Sequence, residues 1–260
     1  MKKTLNYFFI LFLIFFSKTL FSQNQTPDKA FEDVLYKEYH SDILNEKRDL
    51  YIFAPKDANV KSYPVIYMLD AEMTRPYGLV LEYVKSNPHI IVGIGTRENR
   101  SRDMIPVKIS SRQGSGGAYN FLNFLTTELK PYIDQNYKTT GKDILFGASN
   151  AGLFTIYTML TQPSQFSSYI SLSPTIGHCN EFMTDLINKD YPTDVMKGKH
   201  LYILYGLKNE MSRVTDYVPQ FSELIKTKFP ALMFYCEGLE ESGHVPMEGF
   251  QEGFKYIYGN

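Results

Sequence analysis

The sequence predicts an α/β fold with a mostly parallel central sheet, helices on both faces of that sheet and an antiparallel hairpin at its N-terminal edge. Short, nearly continuous apolar runs are typical of parallel strands that are buried on both faces. Amphipathic stretches with helical periodicity separate several of these runs. Because strands that alternate with helices pair in parallel through helical crossovers, helices are expected on both faces of the sheet.

Each element follows from the local pattern. Residues 34–40 and 50–54 alternate polar and apolar side chains around a polar turn, which predicts the hairpin. Apolar runs predict buried strands at residues 64–69, 89–95, 143–147, 168–172, 200–206 and 231–237. Helical periodicity predicts helices at residues 118–136, 150–160, 216–228 and 248–258.

The first residues have the pattern of a secretory signal peptide. Lys2 and Lys3 precede an apolar run at residues 7–16, which is shorter than the roughly 20 residues that span a bilayer. We therefore expect a signal peptide at residues 1–22 and one domain at residues 23–260, exported to the periplasm or the extracellular space and not inserted in a membrane. The lysine that follows the apolar run leaves an uncleaved N-terminal anchor as the alternative.

Composition excludes several classes of protein. The chain has 260 residues, 43% of them hydrophobic, and its 27 Lys and Arg against 28 Asp and Glu argue against a nucleic-acid partner. Two cysteines exclude a disulfide scaffold and a multi-cysteine zinc domain. Cys236 lies in an apolar run that favours a buried free thiol, although export leaves a Cys179–Cys236 disulfide open.

A candidate nucleophile lies where a predicted strand meets a predicted helix. Parallel sheets place their chemistry at the carboxyl ends of the strands, and residues 147–152 read GASNAG at such an end. A nucleophile elbow strains the backbone of its serine, so the residues two before and two after it must be small. Gly147 and Ala151 meet this requirement around Ser149. The alternative is a serine that only caps the helix.

A serine nucleophile needs a base, and His244 is the best placed of the five histidines. It follows the last predicted strand and precedes the last helix, as the base does in a Ser–acid–His order. His178, in the loop after an earlier strand, is the rival. The remaining histidines begin or end strands and are interpreted as structural: His40, His89 and His200.

The acid and the oxyanion donors are predicted from position. Glu210 follows the penultimate strand and would fix the tautomer of the histidine. Asp216 is the alternative acid. The non-catalytic alternative is that Glu210 is only a solvated charge in a loop. The backbone N–H of Asn150 supplies one oxyanion donor, and that of Ala71 or Glu72 supplies the other.

Charged side chains near these strand ends are candidate substrate ligands. Arg97, Arg100 and Arg102 could bind an anionic or catecholic substrate, although a solvated basic loop fits the same pattern. Arg102 and Glu72 are the predicted substrate-binding side chains. No cofactor and no metal is expected.

Several motifs together carry a family resemblance from about residue 41 to residue 258. They are VIYMLD at 65–70, IVGI at 91–94, RSRD at 100–103, GGAYNFL at 116–122, ILFGASNAGLF at 144–154, ISLSPT at 170–175 and HVP at 244–246. The chain thereby resembles the putative-esterase family of α/β-hydrolases, which includes siderophore esterases, S-formylglutathione hydrolase and feruloyl or acetylxylan esterases. The segments at 102–103 and 116–118 are most similar to the siderophore-esterase-like branch.

The chain also departs from the family pattern. The elbow of the family usually reads Gly-His-Ser-Leu-Gly-Gly, whereas Ala148, Asn150 and Ala151 flank the serine here. Ala71 replaces the glycine of the usual Leu-Asp-Gly. In the family an aromatic residue often follows the Ser-Pro-Ser segment, whereas Ile-Gly-His at 176–178 follows Ser-Pro-Thr here. These changes alter the wall of the pocket and leave the nucleophile in place.

The resemblance implies an α/β-hydrolase fold and a secreted serine carboxylesterase that works through an acyl-enzyme. A siderophore ester or a carbohydrate ester is the implied substrate. An acyltransferase on the same triad and a non-catalytic binding module that kept the fold are the alternatives.

Overall fold

The computed structural model describes residues 33–259, so the predicted signal peptide lies outside the described residues. This part of the chain contains an eight-stranded sheet with the order β1-β2-β4-β3-β5-β6-β7-β8. The strands are β1 (Leu35–Ser41), β2 (Glu46–Phe53), β3 (Val65–Leu69), β4 (Ile90–Ile94), β5 (Ile144–Ala148), β6 (Ser168–Leu172), β7 (His200–Gly206) and β8 (Met233–Leu239).

The sheet has the predicted architecture. β1 pairs with β2, and β2 with β4, in antiparallel register, whereas every other neighbouring pair is parallel. All residues of β3, β4 and β6 are buried, which explains why these strands read as continuous apolar runs rather than alternating ones. The predicted fold class, an α/β-hydrolase fold with an N-terminal antiparallel hairpin, is confirmed.

Helices cover both faces of this sheet. They are α1 (Thr74–Ser86), α2 (Arg100–Met104), α3 (Ala118–Asn123), α4 (Lys130–Asn136), α5 (Asn150–Thr161), α6 (Asn180–Asn188), α7 (Ser212–Thr215), α8 (Val218–Lys228) and α9 (Gly249–Tyr258). On one face α9 packs over β5, with the rings of Phe146 and Phe250 5.1 Å apart. In the layer that contains α3 and α5, the rings of Phe121 and Phe154 lie 5.2 Å apart.

Several predicted elements differ in detail from the structure, and the second strand of the hairpin begins at Glu46 instead of residue 50. The helix predicted at 118–136 is interrupted by a π-helical stretch at Phe124–Leu129, and Pro131 lies just beyond it. Because proline has no N–H, the regular hydrogen-bond ladder cannot continue through that position. The last strand runs to Leu239 instead of residue 237, since its register with β7 pairs Gly206 with Leu239. The helix predicted at 216–228 corresponds to α8, which begins two residues later at Val218, and the short helix α7 precedes the predicted range.

The two cysteines are both free thiols in the structure. Burial raises the pKa of the Cys179 thiol to about 12, and the Cys236 sulfur accepts a hydrogen bond from the Ser222 hydroxyl at 3.0 Å. The disulfide that the sequence left open is therefore not formed. None of the helices at residues 33–259 combines the length and apolarity needed to cross a bilayer.

Candidate active site

The predicted catalytic side chains converge at the carboxyl edge of the sheet. Ser149 directly follows β5, Glu210 follows β7, and His244 follows β8. These strands are separated in sequence by tens of residues, and only their parallel pairing brings their ends to one edge.

Ser149 occupies a strained turn between β5 and α5. Its backbone lies at φ 61° and ψ −120°, a region that residues with a side chain rarely adopt and that concentrates at functional sites. Its N–H donates to the Leu172 carbonyl at 2.8 Å, and its carbonyl accepts from Leu153 at 3.0 Å. These hydrogen bonds fix the backbone of the turn at the edge of the sheet, as a nucleophile elbow requires.

Small residues are needed around this turn because backbone passes very close to them. A Cβ on Gly147 would lie 2.4 Å from the Ala151 carbonyl oxygen. A Cβ on Gly152 would lie 2.9 Å from the carbonyl oxygen of Leu172. The GASNAG pattern is thus explained by steric contact across the elbow.

His244 is oriented by a fully buried carboxylate. Its Nδ1 lies 2.6 Å from Oε1 of Glu210, whose side chain has 0% exposure, while the His244 side chain is 32% exposed. The same Oε1 accepts from the Met211 N–H at 2.7 Å. The alternative acid, Asp216, is exposed and bonds to the neighbouring Thr215 hydroxyl instead.

Ser173, to which sequence reasoning assigned no role, connects the acid to the histidine loop. Its hydroxyl donates to Oε2 of Glu210 at 2.7 Å and accepts from the Val245 N–H at 2.9 Å. Val245 lies at φ 60°, which is an outlier for a β-branched residue. Gly206 permits the close approach of this loop, since a Cβ there would lie 2.1 Å from the Gly243 carbonyl oxygen. The family motif ISLSPT, which contains Ser173, was the feature of the sequence that could have indicated this role.

Ser149 and His244 open onto the same cavity, called here the Ser149 cavity, of about 440 Å³. Its other lining residues are mostly apolar: Met68, Leu69, Asp70, Met73, Pro76, Arg100, Phe146, Ala148, Val245 and Phe250. A cavity of this size with few polar groups is typical of a small-molecule site.

One predicted oxyanion donor has to be corrected. The Asn150 N–H, at the start of α5, has no acceptor among residues 33–259 and remains available. The Ala71 N–H, by contrast, donates to the Ile94 carbonyl at 3.1 Å, because this ladder bond extends past the end of β3. In the described part of the chain, the flanking N–H groups of Asp70 and Glu72 have no acceptor, and of these two residues Asp70 lines the Ser149 cavity.

Arg100 forms hydrogen bonds that link the elbow to the turn in which these N–H groups lie, an arrangement called here the Arg100 clamp. Its Nε and Nη2 donate to the Asp70 carboxylate at 2.8–2.9 Å, and Nη2 also reaches the Ala148 carbonyl at 3.1 Å. The Thr96 hydroxyl donates to the same carboxylate. Asp70 is 4% exposed and lies at φ 57°, so this clamp holds a strained residue in place.

The predicted substrate ligands Arg102 and Glu72 do not line the Ser149 cavity. Positions two apart on α2 differ by roughly 200° around the helix, so Arg102 faces away from the side that Arg100 occupies. Arg102 binds Glu46 through Nη1 at 2.8 Å and Nη2 at 2.6 Å. Glu72 accepts from the Thr96 N–H at 3.2 Å and lines a different surface cavity.

Arg100→Lys is expected to slow catalysis without unfolding the protein. Lysine keeps the charge beside Asp70 but cannot bridge both the carboxylate and the Ala148 carbonyl. Because small misplacements of catalytic groups cost up to about a hundred-fold in rate, we expect kcat to fall about ten- to a hundred-fold with a smaller change in KM. Steady-state kinetics and thermal melting measure both quantities.

The matched control is Arg97→Lys, an exposed arginine of the same loop that does not line the Ser149 cavity. We expect its kcat to stay within two-fold of the unmodified protein. An Arg100→Lys protein with unchanged kcat would show that the clamp has no positioning role.

This sheet, with a strained serine after β5, a buried acid after β7 and a histidine after β8, defines the α/β-hydrolase class. The chain belongs to the Putative esterase family, whose model matches residues 41–214.

Individual relatives support the same assignment. The ferri-bacillibactin esterase BesA of Bacillus subtilis is 35% identical over 167 residues, which cover 53% of this chain and 57% of that protein. The apo-salmochelin esterase of Escherichia coli is 30% identical over 169 residues, covering 57% of this chain and 52% of that protein. The chain thus spans about half the length of these curated relatives.

A solved structure matches over a larger share of both chains. The crystal structure of the BES protein from Bacillus cereus superposes with a TM-score of 0.73 and 26% identity. The match covers 87% of this chain and 95% of that one. Because 87% of this chain is matched, the similarity extends beyond residues 41–214, which the family model covers.

Proposed function

We propose that this protein is a serine esterase that hydrolyses siderophore esters, with Ser149 as nucleophile, His244 as base and Glu210 as orienting acid. The observation that carries the proposal is the 2.6 Å contact between His244 and the buried Glu210, on a histidine that shares a cavity with the strained Ser149. A helix-capping serine would need neither a histidine nor a buried acid beside it.

The reaction begins with attack of the Ser149 hydroxyl on the ester carbonyl. His244 accepts the hydroxyl proton through Nε2, because its Nδ1 is engaged with Glu210. The carboxylate stabilises the imidazolium that forms and keeps the ring in the tautomer that can accept a proton.

The tetrahedral oxyanion then needs backbone donors. The free Asn150 N–H supplies one, and the turn at residues 70–72, which Arg100 holds against the elbow, supplies the other. His244 next protonates the leaving alcohol, and an acyl-Ser149 ester remains. Attack by water, with His244 as base again, releases the acid and restores the serine.

The substrate class is proposed from the relatives. Both relatives are esterases named for siderophores, one for ferri-bacillibactin and one for apo-salmochelin. The Ser149 cavity, with Met68, Met73 and Phe250 in its lining, suits a bulky apolar or aromatic portion of such an ester.

The test is a panel of esters presented to the purified protein: bacillibactin with and without iron, a feruloyl sugar and a nitrophenyl butyrate. We expect the siderophore to be opened to linear products, seen by mass spectrometry, with a kcat/KM at least about a hundred-fold above that for the feruloyl sugar. A preference for the feruloyl sugar would overturn the siderophore assignment while leaving the esterase mechanism standing.

We also propose that the protein is exported with residues 1–22 as its signal peptide. The two lysines ahead of the apolar run at residues 7–16 support this. N-terminal sequencing of the protein recovered from cells tests it, with Gln23 expected as the first residue and Met1 as the contradicting result.

A further inference from the structure

A second cavity lies beside the loop that follows β6, and it is called here the Arg213 cavity because Arg213 contacts its lining residue His178. It measures about 630 Å³, and no residue lines both it and the Ser149 cavity. It is lined by residues 107–110 of the loop after β4, residues 177–182 after β6, and Tyr217. The Thr175 N–H lies 3.4 Å from the Ser149 carbonyl, so the lining residue Gly177 comes only two positions after a residue that touches the elbow.

Three cations without carboxylate partners lie in the lining of this cavity or near its lining residue His178. Lys108 is part of the lining, and a Cβ on Gly177 would lie 2.8 Å from the Cα of Arg213. Arg112 is close enough to influence His178 electrostatically. In the described part of the chain none of these three side chains has a carboxylate partner within 4.0 Å, whereas Arg100 and Arg102 are both ion-paired. The lining itself contains one cation, Lys108, and one acidic residue, the exposed Glu181, so the excess of positive charge comes from Arg213 and Arg112 beside it.

His178 adds a neutral hydrogen-bond donor to the cations at this cavity. Its Nε2 accepts from Nη1 of Arg213 at 3.4 Å. Burial, together with the charges of Arg213 and Arg112, lowers the pKa of His178 to about 4, so the ring is neutral near pH 7. With Nε2 as acceptor, the proton is on Nδ1, which has no acceptor among residues 33–259 and can donate to a ligand.

We propose that the Arg213 cavity is a subsite that binds an anionic oxygen group of the ester substrate, a carboxylate or a phenolate, through Arg213, Arg112 and Lys108. This inference rests on the proposed esterase function. The substrate would lie across Ser149 with an apolar portion in the Ser149 cavity and a negatively charged portion against these cations. Guanidinium groups without carboxylate partners match the planar geometry of a carboxylate ligand.

The experiment compares esters that differ only in charge. One pair places the charge on the acyl side: a nitrophenyl hydrogen adipate and its methyl ester. The other places it on the alcohol side: carboxyphenyl acetate and its methyl ester. We expect kcat/KM for the anionic member of at least one pair to exceed that of its neutral partner by about ten- to a hundred-fold, and the ratio to fall as salt is added.

The decisive variant is Arg112→Gln combined with Arg213→Gln, in which the ratio is expected to fall to about one. Lys85→Gln combined with Lys142→Gln removes the same charge from exposed positions without ion pairs, and should leave the ratio unchanged. Equal rates within both pairs, or a preference that survives in the arginine variant, would overturn the subsite.

A binding measurement separates this proposal from the esterase function itself. If no ester is hydrolysed, the esterase proposal fails, and an NMR titration of the full protein with hydroxybenzoate and hydroxybenzamide still decides the subsite. Tighter binding of the carboxylate, lost in the arginine variant, would support it. Equal binding of the two ligands would refute it.

Discussion

Ser149→Ala is expected to lower kcat for ester hydrolysis by about 10⁴-fold or more, because it removes the hydroxyl oxygen of the proposed nucleophile. The residual rate would come from the oxyanion donors and from substrate binding. The fold should not suffer, since the Ser149 hydroxyl has no hydrogen-bond partner within residues 33–259 and its elbow is held by backbone bonds. Steady-state kinetics with nitrophenyl butyrate measure the loss.

Labelling with a fluorophosphonate probe provides the second measurement. The unmodified protein should carry the label on the peptide that contains Ser149, and the variant should carry none. Ser86→Ala, an exposed serine at the end of α1, is the matched control and should keep full activity and labelling. A Ser149→Ala protein that retains more than a tenth of the activity would place the nucleophile elsewhere.

Glu210→Gln is expected to lower kcat by about 10²- to 10⁴-fold with little change in KM. The amide has nearly the same shape, so the contacts with Ser173 and Met211 can be kept in part. What is lost is the negative charge 2.6 Å from Nδ1 of His244, which stabilises the imidazolium in the transition state. Kinetics at saturating substrate, together with thermal melting, separate this loss from unfolding.

Asp216→Asn is the natural comparison, because this carboxylate also follows β7 but is exposed and points to Thr215. We expect its kcat to stay within two-fold. A larger loss in Asp216→Asn than in Glu210→Gln would reverse the assignment of the acid.

The elements of the fold were predictable because their signals are local. β6 and β7 have the bounds that their apolar runs predict, and the elbow residues follow from steric contact within a few positions of Ser149. The boundaries that differ have identifiable causes. The end of β8 depends on its register with β7, and the π-helical stretch depends on how the helix accommodates Pro131.

Side-chain pairing between elements was much less predictable. Arg100 and Arg102 look equivalent in the sequence, yet the helical phase of α2 directs one to Asp70 and the other to Glu46. The sequence does not indicate which residues Ser173 contacts, since Glu210 and Val245 are distant from it in sequence. The Ala71 N–H was excluded as an oxyanion donor only by its bond to the Ile94 carbonyl.

The sequence by itself determined the α/β class, the order of the strands along the chain, the candidate nucleophile and the candidate base. Apolar periodicity and backbone sterics carry that information within short segments. The tertiary structure alone decided which acid meets His244, which arginine holds the turn at residues 70–72 and which cations lack a carboxylate partner. Those choices depend on the distances between side chains from separate strands and helices, and only the packed sheet defines them.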